Sequence, residues 1–323
     1  MPREIERAFA IALKEEASPG TDAVPTMAAN ALRVAEPVLV EDSFLSMNEA
    51  SGEQTGGKGT FESSARAGRS NAFTVKRRLR GVSGAFANPA NLPKEDALWR
   101  AILGTRNFIV GPPELVEYTG ADQDEKTLTV IAQTSKKQFK ALAVVPRSAS
   151  LELAAGGVLM LTTELVGVGQ APAQQLLEAP TLDTVIPPVA KGITFSLGGT
   201  ALKLISFNLD FGLAVSEPIL DGTAGDAWSG HVLTDRMPNG TLTINVEDTA
   251  TFNPYLQCAN SAQLALVLQA GATQYNRVRV EADKLEITGV KLVSRGGVMA
   301  YECTFKINRA TGPSLKDPLI QYL

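Results

Sequence analysis

Between Ala300 and Asn308 the chain alternates without a break: Tyr301, Cys303, Phe305 and Ile307 on one side, Glu302, Thr304, Lys306 and Asn308 on the other. A period of two belongs to a strand with one buried face. The same alternation runs through "ITFSLGG" and "ALKLISFNLDFGLAV", where Ile205, Phe207, Leu209 and Phe211 share a face. Further strands are predicted at "ALRVAEPVLV", "AFTVKRRLRG", "KTLTVIAQ", "FKALAVVP", "SLELAAGG" and "VLMLTTELVGVG". Two stretches follow helical spacing instead. In "NLPKEDALWRAILG", Pro93 suits a first turn, Glu95 and Asp96 suit the positive helix end, Leu98, Trp99, Ile102 and Leu103 form the stripe, and Gly104 stops it. In "NSAQLALVLQAG", Asn260 or Ser261 can cap, Leu264, Val267 and Leu268 form the stripe, and Gly271 stops it.

Breakers divide these elements. Residues 1–30 read as an arm ending in the breaker-rich "SPGTDAVPT", and "GQAPAQQLLEAPTLDTVIPP" reads as a linker. Glu41–Asn71 and Ser216–Gly240 are polar stretches far longer than a hairpin loop, of the kind that carries function. The order of signals in 31–170 recurs in 200–310: a strand, a long polar loop, a strand, a helix ending "AILG" or "LQAG", and a double glycine (Gly156-Gly157, Gly296-Gly297) before the last strand. The expectation is a mainly β chain with an arm (1–30) and two tandem domains (31–180 and 188–323), each with one short packed helix and a long inter-strand loop.

Charge narrows the function. Net charge is -4, and neither half is basic: residues 1–187 hold 19 Lys+Arg against 22 Asp+Glu, and 188–323 hold 11 against 12. That argues against gripping nucleic acid by counterion release. Two separated cysteines, Cys258 and Cys303, make neither a disulfide framework nor a zinc site. The N-terminal residues lack an apolar core for a secretory signal, and no apolar run is long enough for a membrane span. The lone His231 has Ser229 and Asp235 nearby but no nucleophile elbow, and reads as a loop residue. "GEQTGGKG" misses a phosphate loop because Gly59 stands where Ser or Thr belongs. Asp122, Asp124 and Glu125 read as a solvated turn. An enzyme is not expected, nor a cofactor or a metal. Two β-rich halves with long loops and little chemistry suit assembly, because open sheet edges pair between copies and heterologous contacts close into rings.

Several stretches carry a family resemblance: "ERAFAIALKEEASPGTDAVPT", "NALRVAEPVLV", "EDALWRAILG", "GITFSLGGTALKLISFNLDFGLAVSEP" and "RMPNGTLTINVED". The chain resembles the major tail tube proteins of long-tailed, non-contractile bacteriophages, of the type with two tube domains. The resemblance implies tandem tail-tube β-sandwich or barrel domains. It implies a structural virion protein, assembled in the bacterial cytoplasm, whose homotrimeric pseudo-sixfold rings stack into a tube. Implied partners are the chain itself, tail terminator and tail-tip proteins, a tape measure protein in the lumen and transiently passing double-stranded DNA, with no membrane. A hexameric one-domain tail or secretion tube and a tail-tip binding module are the alternatives. By position, the resemblance places Asp42, Gly57, Lys58, Arg66, Asp221, Trp228, His231 and Arg236 in inter-subunit loops.

The most charged strand is "FTVKRRLRG", residues 73–81, set beside "LTINVEDTA" of the second half. Phe73 then matches Leu242, and Thr74, Lys76, Arg78 and Arg80 form the opposite face. Lys76, Arg78, Arg80, Asn245 and Glu247 are expected at the channel or a ring contact, with Arg78 and Glu247 equivalent and opposite in charge.

Overall fold

The computed structural model describes residues 9–47, 65–86, 91–111, 113–120, 126–154, 157–189, 193–216, 219–220, 228–246, 249–309 and 317–323. It is mainly β, 56% strand against 7% helix. The first set of elements is β1 (Ala10–Glu15), α1 (Met27–Asn30), β2 (Ala31–Leu32), β3 (Leu39–Met47), β4 (Ala65–Arg78), α2 (Asp96–Leu103), β5 (Gly104–Ile109), β6 (Leu115–Gly120), β7 (Leu128–Gln133), β8 (Lys137–Ala154) and β9 (Met160–Gly169). After β10 (Ala173–Gln174) the second set is β11 (Thr194–Leu197), β12 (Thr200–Ala201), β13 (Leu204–Asp210), β14 (Leu213–Val215), β15 (Ile219–Leu220), β16 (Trp228–Gly230), β17 (Leu233–Arg236), β18 (Asn239–Asn245), α3 (Pro254–Ala259), β19 (Gln263–Ala270), β20 (Val278–Arg295) and β21 (Val298–Ile307). β22 (Leu319–Tyr322) follows.

One order of antiparallel pairing occurs twice. β3 pairs with β4, β4 with β9, β9 with β8 and β8 with β7. In the same way β13 pairs with β18, β18 with β21, β21 with β20 and β20 with β19. β8 and β20 are both 18 residues long, and each bends at bulges midway. The first part of each belongs with β7 or β19. The last part of β8, Ser150–Ala154, turns to pair with β13 and joins the two sets. β22 ties them again, lying between β6 and β20.

Alternation decides which side chains meet. Phe73, Leu151, Leu165, Phe207, Leu209, Leu242 and Phe305 all turn into one core, with the Phe207 and Phe305 rings stacked 5.9 Å apart. Trp99 of α2 enters it between Tyr118 and Phe211, at ring distances of 6.3 and 5.9 Å. Gly104 ends α2 at φ 95 and donates its N–H to the Arg100 carbonyl, the stop that the sequence predicts. "AYECTFKIN" buries Tyr301, Cys303, Phe305 and Ile307 as predicted. The Cys303 thiol is pushed up to about 12 by burial, with Cys258 and Glu302 adding to the shift.

Several expectations need correction. "NSAQLALVLQAG" is strand β19, with Leu264, Leu266, Leu268 and Ala270 buried. The helix lies just before it: α3 starts at Pro254, its Leu256 N–H is capped by the Asn253 side chain, and Asn260 closes its C-terminus. Residues 10–15 of the expected arm are strand β1, paired with β7, with Ile11 and Leu13 buried. "ALRVAEPVLV" is two pieces, β2 and the start of β3. The polar stretch Glu41–Asn71 is strand at both flanks, Glu41–Met47 against Ala65–Asn71. Ser216–Gly240 likewise holds β15, β16 and β17. A bulge between Leu204 and Ser206 leaves Ile205 half-buried while Phe207, Leu209 and Phe211 are buried. The predicted linker holds the two-residue strand β10, paired with β8, and is otherwise irregular but pinned. Thr181 donates its N–H to the Met27 carbonyl, and the Val185 and Ile186 carbonyls accept from Arg80 and Asn276.

Candidate assembly interface

Eight strands lie side by side in the order β3-β4-β9-β8-β13-β18-β21-β20. One face of this run is the core. The registers bring the polar residues to the other: Glu41, Thr74, Lys76, Arg78, Thr162, Glu164, Ser150, Glu152, Asn208, Asp210, Thr241, Glu302, Lys306 and Arg295. Charge on this face is mixed. Arg147 stands 3.5 Å from Glu164, Arg295 3.0 Å from Glu302 and Lys306 3.3 Å from Glu286. Exposed pairs such as these are screened by solvent and contribute little, so they set the surface potential more than the stability.

Among the described residues both ends of the run are open: β3 pairs with β4 alone, and Gly289–Arg295 of β20 pairs with β21 alone. Unpaired edges invite another strand.

The basic strand β4 splits its charges between two faces. Phe73, Val75 and Arg77 turn inward and are buried, as is Leu79 just past the strand end, whereas Lys76 is half-buried and Arg78 exposed on the polar face. Inside, Arg77 donates from Nε to Glu95 at 2.9 Å and from Nη1 to the Arg33 carbonyl at 3.1 Å, and its Nη2 lies 2.7 Å from both Glu95 and Asp183. Burial works against its charge, but Glu95 and Asp183 outweigh that and raise its pKa. Arg80 is buried too: Nη1 donates to the Val185 carbonyl at 2.7 Å, and burial lowers its pKa. The structure thus places Arg80 inside the molecule, because β4 ends at Arg78 and the alternation stops with it.

Glu95 also accepts from the Tyr322 hydroxyl at 2.7 Å, and that oxygen accepts from Trp99 Nε1 at 2.8 Å. Tyr322 is raised well above its ordinary 10.0, by burial first and then by the charge of Glu95. Tyr118 is raised by burial and by Asp96, to which it donates at 2.8 Å. An unfolded chain would release both protons earlier than the folded one. Their contribution is intact below about pH 10 and is lost as pH rises toward the folded values. Thermal melts should hold level to about pH 9.5 and decline above it. Tyr322→Phe, which removes one titration, should decline less steeply from a lower start. An equally steep decline would exclude Tyr322 as a cause.

Of the other predicted positions, Asn245 ends β18, and Asp42 lies in β3, bonded to Arg69. Arg66 is in β4 and Trp228 in β16. His231 donates from Nδ1 to the Ser216 carbonyl at 2.8 Å. Arg236 caps α2 across the two sets, its Nη1 donating to the Ile102 and Leu103 carbonyls at 3.1 and 2.7 Å. Gly57, Lys58, Asp221 and Glu247 lie outside the described residues, as therefore does the Arg78–Glu247 comparison. The sequence reading missed Arg77, Glu95, Asp183 and Tyr322 as a group. Its one local signal was a charge at the inward phase of an alternating strand.

Among the described residues no group of three His, Cys, Asp or Glu side chains comes together as a metal site. No helix there is long and apolar enough to cross a membrane. The model of a protein family described as phage tail tube protein matches residues 9–306. No curated protein matches the chain in sequence.

Proposed function

The chain belongs to the phage tail tube protein family, and from that premise we propose that it carries two tube domains and that three copies close into one pseudo-sixfold ring. The family is structural, not enzymatic; its members self-assemble into a tube and reside in the virion tail. The finer reading rests on one observation. The pairing order β3-β4-β9-β8 recurs as β13-β18-β21-β20, the two runs are joined through β8 and β13, and the equivalent edges at the far ends are open among the described residues. One junction is thus made within the chain, and the material for a second is left over. Head-to-tail repetition closes a ring when the rotation per unit divides the circle.

In this reading the domains span 31–180 and 188–323, and the tail is of the non-contractile type. Rings assembled in the host cytoplasm stack between tip and terminator proteins around a tape measure protein, and double-stranded DNA later passes through. The polar face lines the channel. Its mixed charges suit passage, because a wholly basic wall would hold the phosphate backbone. Concentrated protein imaged by negative stain should form tubes with a central channel, and native mass spectrometry of released rings should give three chains. Six chains per ring, or a chain that stays monomeric at every concentration, would overturn the reading.

A further inference from the structure

The internal junction also specifies how the external one is built. Phe73 faces Leu165 across β4 and β9, and Leu242 faces Cys303 across β18 and β21. Matching these two pairs brings the ten-residue strands β9 (Met160–Gly169) and β21 (Val298–Ile307) into register from end to end. Met160 faces Glu152 and Val298 faces Arg295, so Glu152 and Arg295 are equivalent. Val40 faces Phe73 and Phe207 faces Leu242, so Glu41 and Asn208 are equivalent.

Within the chain, Asn208 and Glu152 are direct cross-strand partners on the polar face, and the Asn208 amide donates to Glu152 at 3.2 Å. On the core face beside them, Ala149 and Leu161 are each 1% exposed. Their equivalents at the open edge, Leu292 and Met299, are 47% and 46% exposed. Apolar positions covered at one junction therefore stand bare at the other.

We propose that β3 of a second copy docks antiparallel on the end of β20 of the first, with Glu41, Asp42 and Ser43 opposite Arg295, Ser294 and Val293, as Asn208, Leu209 and Asp210 lie opposite Glu152, Leu151 and Ser150 within the chain. This rests on the ring reading and gives it a register. The charges also fix the order of units around the ring. Glu41 opposite Arg295 is an attractive pair, whereas β3 placed on β8 would set Glu41 against Glu152, and like charges directly opposite destabilise a sheet. Arg295, now 3.0 Å from Glu302, would sit between two carboxylates.

The test is a charge swap in the full-length protein, after wild-type tubes have been observed. Glu41→Lys and Arg295→Glu should each raise the critical concentration for assembly about tenfold, without lowering the melting temperature of the free chain. The double swap should return it toward wild type. Single variants that assemble normally, or a double variant no better than the worse single, would overturn the register. Wild-type tubes would leave the ring reading standing in either case, whereas failure of the wild type to assemble would strike that reading itself. As a second measurement, the double variant Glu41→Cys with Arg295→Cys should cross-link chains when assembled tubes are oxidised, because directly opposed Cα atoms lie about 4.5–5.5 Å apart, within disulfide reach. No cross-linking above the wild-type background would also overturn it.

Discussion

Arg77→Met should destabilise the free chain by about 3–5 kcal/mol, out of a total that for a typical domain is about 5–15. Arg77 and Glu95 are both buried, with side chains 1% and 0% exposed. Without the guanidinium, Glu95 would keep the Tyr322 hydroxyl and the long Arg80 N–H contact at 3.3 Å, with no cation among the described residues at salt-bridge distance. Among the described residues the Asp183 carboxylate would keep Arg80, at 3.8 Å. Removing one member of a buried pair costs more than the pair contributes, because the remaining charge stays desolvated. Arg77→Met combined with Glu95→Gln should therefore lose less than the sum of the two single changes, as expected for members of one network. Arg77→Lys should fall between, since one ammonium cannot reach Glu95, Asp183 and the Arg33 carbonyl from fixed directions. Urea unfolding of the four variants measures this. An Arg77→Met midpoint equal to wild type would show that the network contributes nothing. The consequence reaches assembly, because the cluster joins β4, α2, the segment around Asp183 and β22, the last lying between the two sets of strands.

The cluster marks where sequence reading stops. Periodicity finds a strand when one face meets water and the other the core, as with "AYECTFKIN". It failed at β19 because that strand is flanked on both sides, by β11 and β20, and Val267 on its outer face is half-buried. With Leu264, Leu266, Val267 and Leu268 all apolar, helical and extended spacings fit equally well. Arg77 hid for a different reason. Four basic residues between Lys76 and Arg80 read as one charged surface, although alternation alone puts Arg77 opposite Lys76 and Arg78. Its partners could not be read at all, since Asp183 lies 106 residues away and the Tyr322 that completes Glu95 lies 227 residues from it. The recurring pairing order had a trace in the order of strand signals, although the second helix was expected in the wrong place. The junction between the two runs had none, because a strand edge has no residue signature until its neighbour is known.

Gly81→Ala should separate the two sets of strands while leaving each folded. A Cβ there would lie 2.0 Å from the Tyr275 carbonyl oxygen and 2.4 Å from the Asn276 Cα, both backbone atoms of the second set. No side chain can turn away to relieve that contact, so the seam itself must move. Moving it also strains two bonds, from Gly81 N–H to Asn276 Oδ1 at 2.9 Å and from Val82 N–H to the Tyr275 carbonyl at 2.8 Å. Overpacking costs about 1–3 kcal/mol where side chains can adjust, and the upper end or beyond is expected here. Gly111→Ala is the control, since a Cβ at that position meets nothing within 4 Å. The effect on assembly should exceed the effect on stability. A ring closes only if each unit turns the chain by a fixed angle, and a shift at the seam enters at every copy. Circular dichroism of Gly81→Ala should stay close to wild type, the melting temperature should fall, and ordered tubes should disappear or change diameter. Tubes of unchanged diameter would show that the placement of one set against the other does not govern closure.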